Sequence, residues 1–406
     1  MQTNRPPSRG SAARRAALRR APLALAALAA LTAALPARAQ IVQTTSVPFL
    51  QIEPDSRTSG MGMAGVALAD DANAIFWNPA GLAGQAGAEV TFTHAPWLPE
   101  LGADLYFEYL AGKYAIPGVG TVAGHVTFLN LGEQQRVSED GEDLGTFRSY
   151  DLAVGASYGR RIAPSVDVGV GLRFIYSNLA GGVIDAASTV VGDVGVLYRA
   201  PTFSGIRPTL GLTLANLGTS ISYGDDGEPN AVPTYIRLGA ALTHDFDEFN
   251  RLTFSTDFKR LLVDEDENGA PAPFYQGIFT AWGGRLVDPT PVESGTTCFV
   301  VDGNGDPILD GNGNRQDNPN SDCETVGALR QFTVGAGLEY WYNNLLALRT
   351  GYFYEDPLNG NRKFLTFGAG FRYSLVGIDL SYIYALEENS PLDQQIRFSV
   401  LLNVNR

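Results

Sequence analysis

Residues 166–176 read Val-Asp-Val-Gly-Val-Gly-Leu-Arg-Phe-Ile-Tyr. Val166, Val168, Val170, Leu172, Phe174 and Tyr176 alternate with Asp167, Gly169, Gly171, Arg173 and Ile175. Extended, this stretch has one apolar face and one that is mostly small or charged. The same period recurs in 363–373, where Leu365, Phe367, Ala369, Phe371 and Tyr373 alternate with Thr366, Gly368, Gly370 and Arg372. It recurs again in 376–384, where Val376, Ile378, Leu380, Tyr382 and Tyr384 alternate with Gly377, Asp379, Ser381 and Ile383. A soluble sandwich turns its apolar face inward and loads the other with Lys, Glu and Thr. Here the second face is mostly Gly, Ser, Asp and Arg, which suits a crowded polar lumen and leaves the apolar face for lipid. Aromatic residues stand toward the ends of the apolar stripes (Tyr150, Tyr158, Phe174, Tyr176, Phe371, Tyr373), as an interfacial girdle requires.

Extending the alternation outward predicts strands at 88–94, 104–115, 119–130, 148–161, 165–178, 188–199, 207–217, 233–246, 250–260, 329–342, 345–355, 363–373, 376–385 and 393–403. That is about fourteen, an even number, as a barrel with both ends on one side requires. Several match a tilted membrane span better than a soluble strand. Short connections fall at Ile116-Pro117-Gly118, Ile162-Ala163-Pro164, Asp247-Glu248-Phe249, Asn343-Asn344 and Ser374-Leu375. Long ones fall at 131–147, 218–232 and 261–328, on the opposite rim by parity. The expected fold is therefore all-β, a transmembrane antiparallel barrel with short periplasmic turns and long extracellular loops.

The chain opens with Arg5, Arg9, Arg14, Arg15, Arg19 and Arg20, then an apolar run from Leu23 to Leu35, then Pro36 and Ala37-Arg38-Ala39. This is the pattern of a secretory signal peptide cleaved before Gln40. The run is too short for the ~20 apolar residues of a spanning helix. Removing residues 1–39 takes seven arginines and no acid, leaving 22 basic against 43 acidic residues, a balance of −21. Such a chain lacks the basic face that nucleic acid needs. The expected division is a signal peptide at 1–39, a periplasmic N-terminal segment and lumen plug at 40–87, and an outer-membrane barrel at 88–406 with its long extracellular loop at 261–328.

Residues 49–83, FLQIEPDSRTSGMGMAGVALADDANAIFWNPAGLA, depart from the alternation. Small residues allow close backbone approach inside a lumen, and Asn78-Pro79 reads as a turn. Pro79 and Gly81 stop any helix there. The segment either only fills the barrel or takes part in its work. Its words resemble the N-terminal signature of the PorV/PorQ family, within the superfamily of FadL-type long-chain fatty-acid transporters. The resemblance carries over to Pro54, Asp55, Ser56, Arg57, Gly60, Met61, Gly62, Gly65, Asp70, Asp71, Asn73, Trp77, Asn78, Pro79 and Ala80. It implies a fourteen-stranded barrel with an N-terminal plug, in the outer membrane of a Gram-negative bacterium. It also implies an outer-membrane role in type IX secretion: receiving the C-terminal signal domain of cargo from the translocon and delivering it to the surface attachment complex. The alternative is FadL-type uptake of long-chain fatty acids or other hydrophobic compounds, which needs a continuous apolar groove and a lateral opening.

An enzyme is not expected. No H-E-x-x-H occurs, the match to G-x-S-x-G at Gly155-Ala156-Ser157-Tyr158-Gly159 falls inside the expected strand 148–161 and not at a strand-to-helix turn, and His94, His125 and His244 lie far apart. Trp97, Leu98 and Leu101 form an apolar extracellular cluster, a candidate for holding a partner protein, although Trp97 also suits a girdle. Cys298 and Cys323, both in the longest loop, are expected to pair in an oxidising compartment. Between them Asp302, Asn304 and Asp306, then Asp310, Asn312 and Asn314, repeat the D-x-N-x-[DN] spacing of calcium loops. Pro307 and Gly313 stand where an EF-hand needs Gly and Glu, so calcium competes with a plain Asp/Asn/Gly loop. No other cofactor is expected, and the remaining partner is outer-membrane lipid.

Overall fold

The structure, a computed structural model, describes residues 45–99, 104–138, 140–181, 184–224, 227–265, 270–287, 308, 323–388 and 390–404. The signal peptide, Leu101, Cys298 and the six residues proposed for calcium lie outside these.

The strands are β1 (Ala88–Pro96), β2 (Tyr106–Ile116), β3 (Gly120–Val137), β4 (Asp143–Ala163), β5 (Val166–Asn178), β6 (Ala187–Arg199), β7 (Ile206–Gly218), β8 (Tyr235–Asp245), β9 (Asn250–Leu261), β10 (Arg285–Val287), β11 (Glu324–Val326), β12 (Thr333–Tyr342), β13 (Leu346–Tyr354), β14 (Lys363–Tyr373), β15 (Val376–Ala385) and β16 (Ile396–Val404). β10 and β11 pair only with each other, inside the long loop. The other fourteen close into one antiparallel barrel. β9 pairs with β12, placing Ser255 opposite Gly337, and β16 closes the ring on β1, placing Val404 opposite Ala88.

The alternation is inside out relative to a soluble protein. Leu172 is 65% exposed while Arg173 beside it is 4% exposed, because the outer face meets lipid and the inner face meets protein. Near the long-loop rim, Tyr106, Phe128, Tyr150 and Tyr176 touch in sequence across β2 to β5. This is one arc of the expected girdle.

Three expectations are corrected. Residues 131–147 are not all loop: β3 and β4 continue as a paired ribbon, with Glu133 opposite Arg148 and Gln135 opposite Thr146. Beyond the membrane both ribbon faces meet water, so the apolar alternation stops although the backbone pairing does not. Next, the strand expected from 329 begins at Thr333, because Ala328–Gln331 forms a 3-10 turn. Finally, the lumen is not polar throughout. Toward the long-loop rim Phe107, Leu129, Ile175, Val191, Phe353, Phe364 and Ile383 belong to one apolar cluster with Val47, Phe49, Leu50 and Ile52. Ile175, on the same inward face as Arg173, is apolar and wholly buried.

Candidate functional site

Residues 45–87 lie against the inward faces of the strands. The first described residues of this segment lie at the long-loop rim, where Ser46 donates to the Ala231 carbonyl between β7 and β8. From there it descends the lumen to Ala88 on the short-turn rim. It contains the helical turns Ser56–Ser59 and Ala74–Trp77 and the 3-10 turns Pro48–Gln51 and Pro79–Gly84.

Asp55 is the local hub. It caps the first helical turn by accepting from the Thr58 amide at 2.8 Å, and it accepts from the Thr58 hydroxyl at 2.6 Å and the Trp77 indole at 2.7 Å. One carboxylate thus ties Pro54-Asp55-Ser56-Arg57 to the Trp77-Asn78-Pro79 end of the motif. Ser56 next door bonds Ser399 on β16 through its amide and its hydroxyl. Arg57 pairs with Asp70, with Asp71 at 3.3 Å, and bidentately with Glu339 of β12 at 2.9 and 2.8 Å. Glu339 also accepts from Arg349, which reaches Asp379 on β15, and Asp379 accepts from Arg372. This ladder of alternating charge runs from the segment into the wall, where unpaired charges would be costly.

Burial pushes the Asp71 carboxyl up to about 7 against the pull of Arg57, with Glu89, Asp55 and Asp70 adding to the rise. Burial tends to lower the Arg57 guanidinium, but Asp70, Glu339 and Asp71 hold it above its ordinary value.

The glycines serve close approach. Gly62 has φ 65°, and a Cβ there would stand 2.5 Å from the Ala336 and Tyr352 carbonyl oxygens. Facing it on β13, a Cβ on Gly351 would stand 2.1 Å from the Gly62 nitrogen. Gly60 lies similarly against Gly368 of β14, and Gly65 beneath the Trp77 ring. Three amides are anchored by the wall: Gly62 donates to Thr366 Oγ1 at 2.9 Å, and Gly65 and Val66 donate to Asp257 at 2.8 Å each. Trp77 is buried under the Arg237 guanidinium, 4.7 Å from the ring centroid. Asn78 caps the following turn through Ala80 and donates to Val196, while Pro79 fills the space over Gly169 and Gly195.

The motif residues Pro54, Asp55, Ser56, Arg57, Gly60, Gly62, Gly65, Asp70, Asp71, Trp77, Asn78 and Pro79 thus fall in one packed body. Their wall partners, Asp257, Glu339, Arg349, Thr366, Asp379 and Ser399, were not legible as partners. The only signal was an excess of charge and small residues on the inward face. Below this body, at the short-turn rim, Arg57, Asp70, Asp71, Glu89, Lys113 and Arg372 line a charged cavity of about 400 Å³. Trp97 is half-buried and packs down onto the lumen's apolar cluster, and Leu98 beside it is half-buried with φ 50°. Cys323 lies just before β11.

A closed fourteen-stranded barrel with a lipid-compatible outer face is an integral outer-membrane protein of a Gram-negative bacterium. A model of the family described as type IX secretion system protein PorV matches residues 35–268, more than half of the sequence. The chain belongs to that family, whose members are outer-membrane components of type IX secretion. A search of the curated proteins finds no match. Among solved structures the chain is similar to the Ralstonia pickettii toluene transporter TbuX, at 12% identity over 87% of this chain and 99% of that one, with a TM-score of 0.45. It is similar to the Pseudomonas putida toluene transporter TodX at 14% identity, over 86% and 98%, with a TM-score of 0.45. A Pseudomonas aeruginosa FadL homologue is similar at 12% identity, over 87% and 98%, with a TM-score of 0.43.

Proposed function

We propose that this barrel receives the C-terminal signal domain of type IX cargo at its extracellular rim and passes it to the surface attachment complex, while residues 45–87 act as a plug. Family membership supports secretion as the process. The observation that carries the choice against solute uptake is the filling of the lumen. Val47–Ile52 occupy its apolar upper part, and the Arg57–Glu339–Arg349–Asp379 ladder crosses its lower part. A hydrophobic solute would have to displace the first and desolvate the second. Among the described residues every barrel strand has a paired neighbour on each side, and where β6 and β7 shift register at Asp193 opposite Ala215 and Asn216 the Asn216 amide donates to the Asp193 carboxylate at 3.0 Å, which argues against a lateral opening there. The work is then left to the outer loops, with the translocon and the attachment complex as partners.

A second reading, FadL-type uptake, draws on one observation: the apolar chamber under Trp97 would suit a hydrophobic compound if Val47–Ile52 moved out. A deletion strain separates the two. Loss of surface cargo supports secretion. Cargo still reaching the surface while growth on long-chain lipids fails would replace it with uptake.

A further inference from the structure

Arg237, on the inward face of β8, is enclosed by three aromatic rings. Its guanidinium carbon lies 4.7 Å from the Trp77 centroid, 5.1 Å from Phe76 and 4.7 Å from Tyr235. The residue is 2% exposed, and among the described residues nothing accepts a hydrogen bond from Nη1 or Nη2. Glu53 Oε1 stands 3.7 Å from Nη2, beyond hydrogen-bond length. Strand register sets Lys259 of β9 directly opposite. Its ammonium lies 5.0 Å from the same Tyr235 ring and, among the described residues, has neither hydrogen bond nor ion pair. The buried Tyr235 hydroxyl also lacks a partner. Donors thus gather around one ring with nothing to receive their protons, although buried polar groups are as a rule paired.

The charges do not balance either. Arg237, Lys259, Arg362 and Arg397 surround Glu53, and the other acids near Arg237 and Lys259 are Glu355 and Asp257. Glu355 is held bidentately by Arg362 at 2.6 and 3.1 Å, and one Asp257 oxygen is spent on the Gly65 and Val66 amides. Four cations against three carboxylates leave one positive charge inside the lumen, where an uncompensated charge is costly. We propose that Arg237, Lys259 and the Tyr235 hydroxyl bind one monatomic anion of the chloride class, which fastens the lumen segment to the wall. A water molecule would accept from two of the donors and leave the charge. The rings packed on the guanidinium leave only its edge open, which suits a spherical ion and not an acid with a carbon tail. The ion favours the seated segment, because Glu53, Phe76 and Trp77 are what bury the cations. Once they leave, water solvates Arg237 and Lys259 and the ion departs. The site is independent of the secretion reading, since it uses no residue of the outer loops.

Crystals of the full barrel grown in sodium bromide read the site through the anomalous scattering of bromine. A peak should stand within hydrogen-bond reach of Arg237 and Lys259. Lys259→Met, which keeps the side chain's length and drops its charge, should remove it. Tyr235→Phe, which keeps the ring and drops one donor, should lower the occupancy with less risk to packing. In solution, trypsin cleavage after Arg57 reads the same ion. With chloride at about ten times its dissociation constant, the seated population gains about tenfold, and cleavage slows by that factor relative to gluconate at equal ionic strength. Lys259→Met should be cleaved at one rate in both salts. Density beside Arg237 without a bromine signal, which marks water, would overturn the proposal. Equal wild-type rates in the two salts, or a salt dependence that survives in Lys259→Met, would overturn it as well.

Discussion

Gly351→Ala should expel the lumen segment from its seat and leave the barrel standing. The added methyl would stand 2.1 Å from the Gly62 nitrogen and 2.3 Å from the Met61 carbonyl carbon, well inside van der Waals contact. Relief needs a backbone shift of about 1 Å, and close-packed interiors do not yield that far locally. Gly62 cannot move alone, because its φ of 65° and its bond to Thr366 fix it. Losing the seat forfeits that bond and the two amides held by Asp257. At ~1 kcal/mol for the neutral bond and ~1.5 for each bond to a carboxylate, the loss is roughly 4 kcal/mol, or about a thousandfold in the seated population. Trypsin reads this directly. Arg57 is held in the ion-pair ladder of the folded segment and becomes cleavable once the segment leaves. Heat-modifiable migration on a denaturing gel would show the barrel intact. Gly112→Ala is the control, since its Cβ would meet Val90 at an ordinary 3.6 Å. A Gly351→Ala barrel as resistant after Arg57 as the wild type would refute the claim that glycine-to-glycine approach seats the segment.

Arg57→Ala should unseat the same segment by ~3 kcal/mol, because Glu339, Asp70 and Asp71 lose their shared cation. Arg57→Lys should recover only part of this, since lysine cannot reproduce the bidentate grip on Glu339, and trypsin-independent proteolysis with chymotrypsin measures both. The Asp71 carboxyl, raised from 3.8 to about 7 in the folded state, binds a proton there that the unfolded chain has already released. Stability should therefore fall as pH rises from about 4 through about 7, and Asp71→Asn should flatten that part of the profile in detergent unfolding scans. Peptide mapping without reductant should recover Cys298 and Cys323 linked, closing a loop worth ~3 kcal/mol against the unfolded chain. Calorimetric titration of the intact barrel decides the calcium proposal for Asp302 to Asn314: heat lost in an Asp302→Asn, Asp310→Asn variant supports it, and a flat wild-type titration rejects it.

The barrel was legible in the sequence because membrane strands obey a period of two that no tertiary contact needs to create. Residues such as Leu172 and Arg173 reveal by composition which face meets lipid, and turn lengths of two or three residues reveal the periplasmic rim. That signal ends where the solvent changes. Beyond Asn130 the β3–β4 ribbon meets water on both faces, so its pairing left no alternation to read. The lumen body was legible only as a cluster of unusual words. Asp55 bonds Trp77 across 22 residues, and Arg57 bonds Glu339 across 282. The sequence by itself determined which residues are small, charged or aromatic, and so that something packs closely in that lumen. Only the closed barrel decided that Gly62 faces Gly351 and that Arg57 enters a ladder through Arg349. Those partners meet because a ring of strands brings residues hundreds of positions apart to one height, and ring closure is a property of the whole chain rather than of any stretch of it.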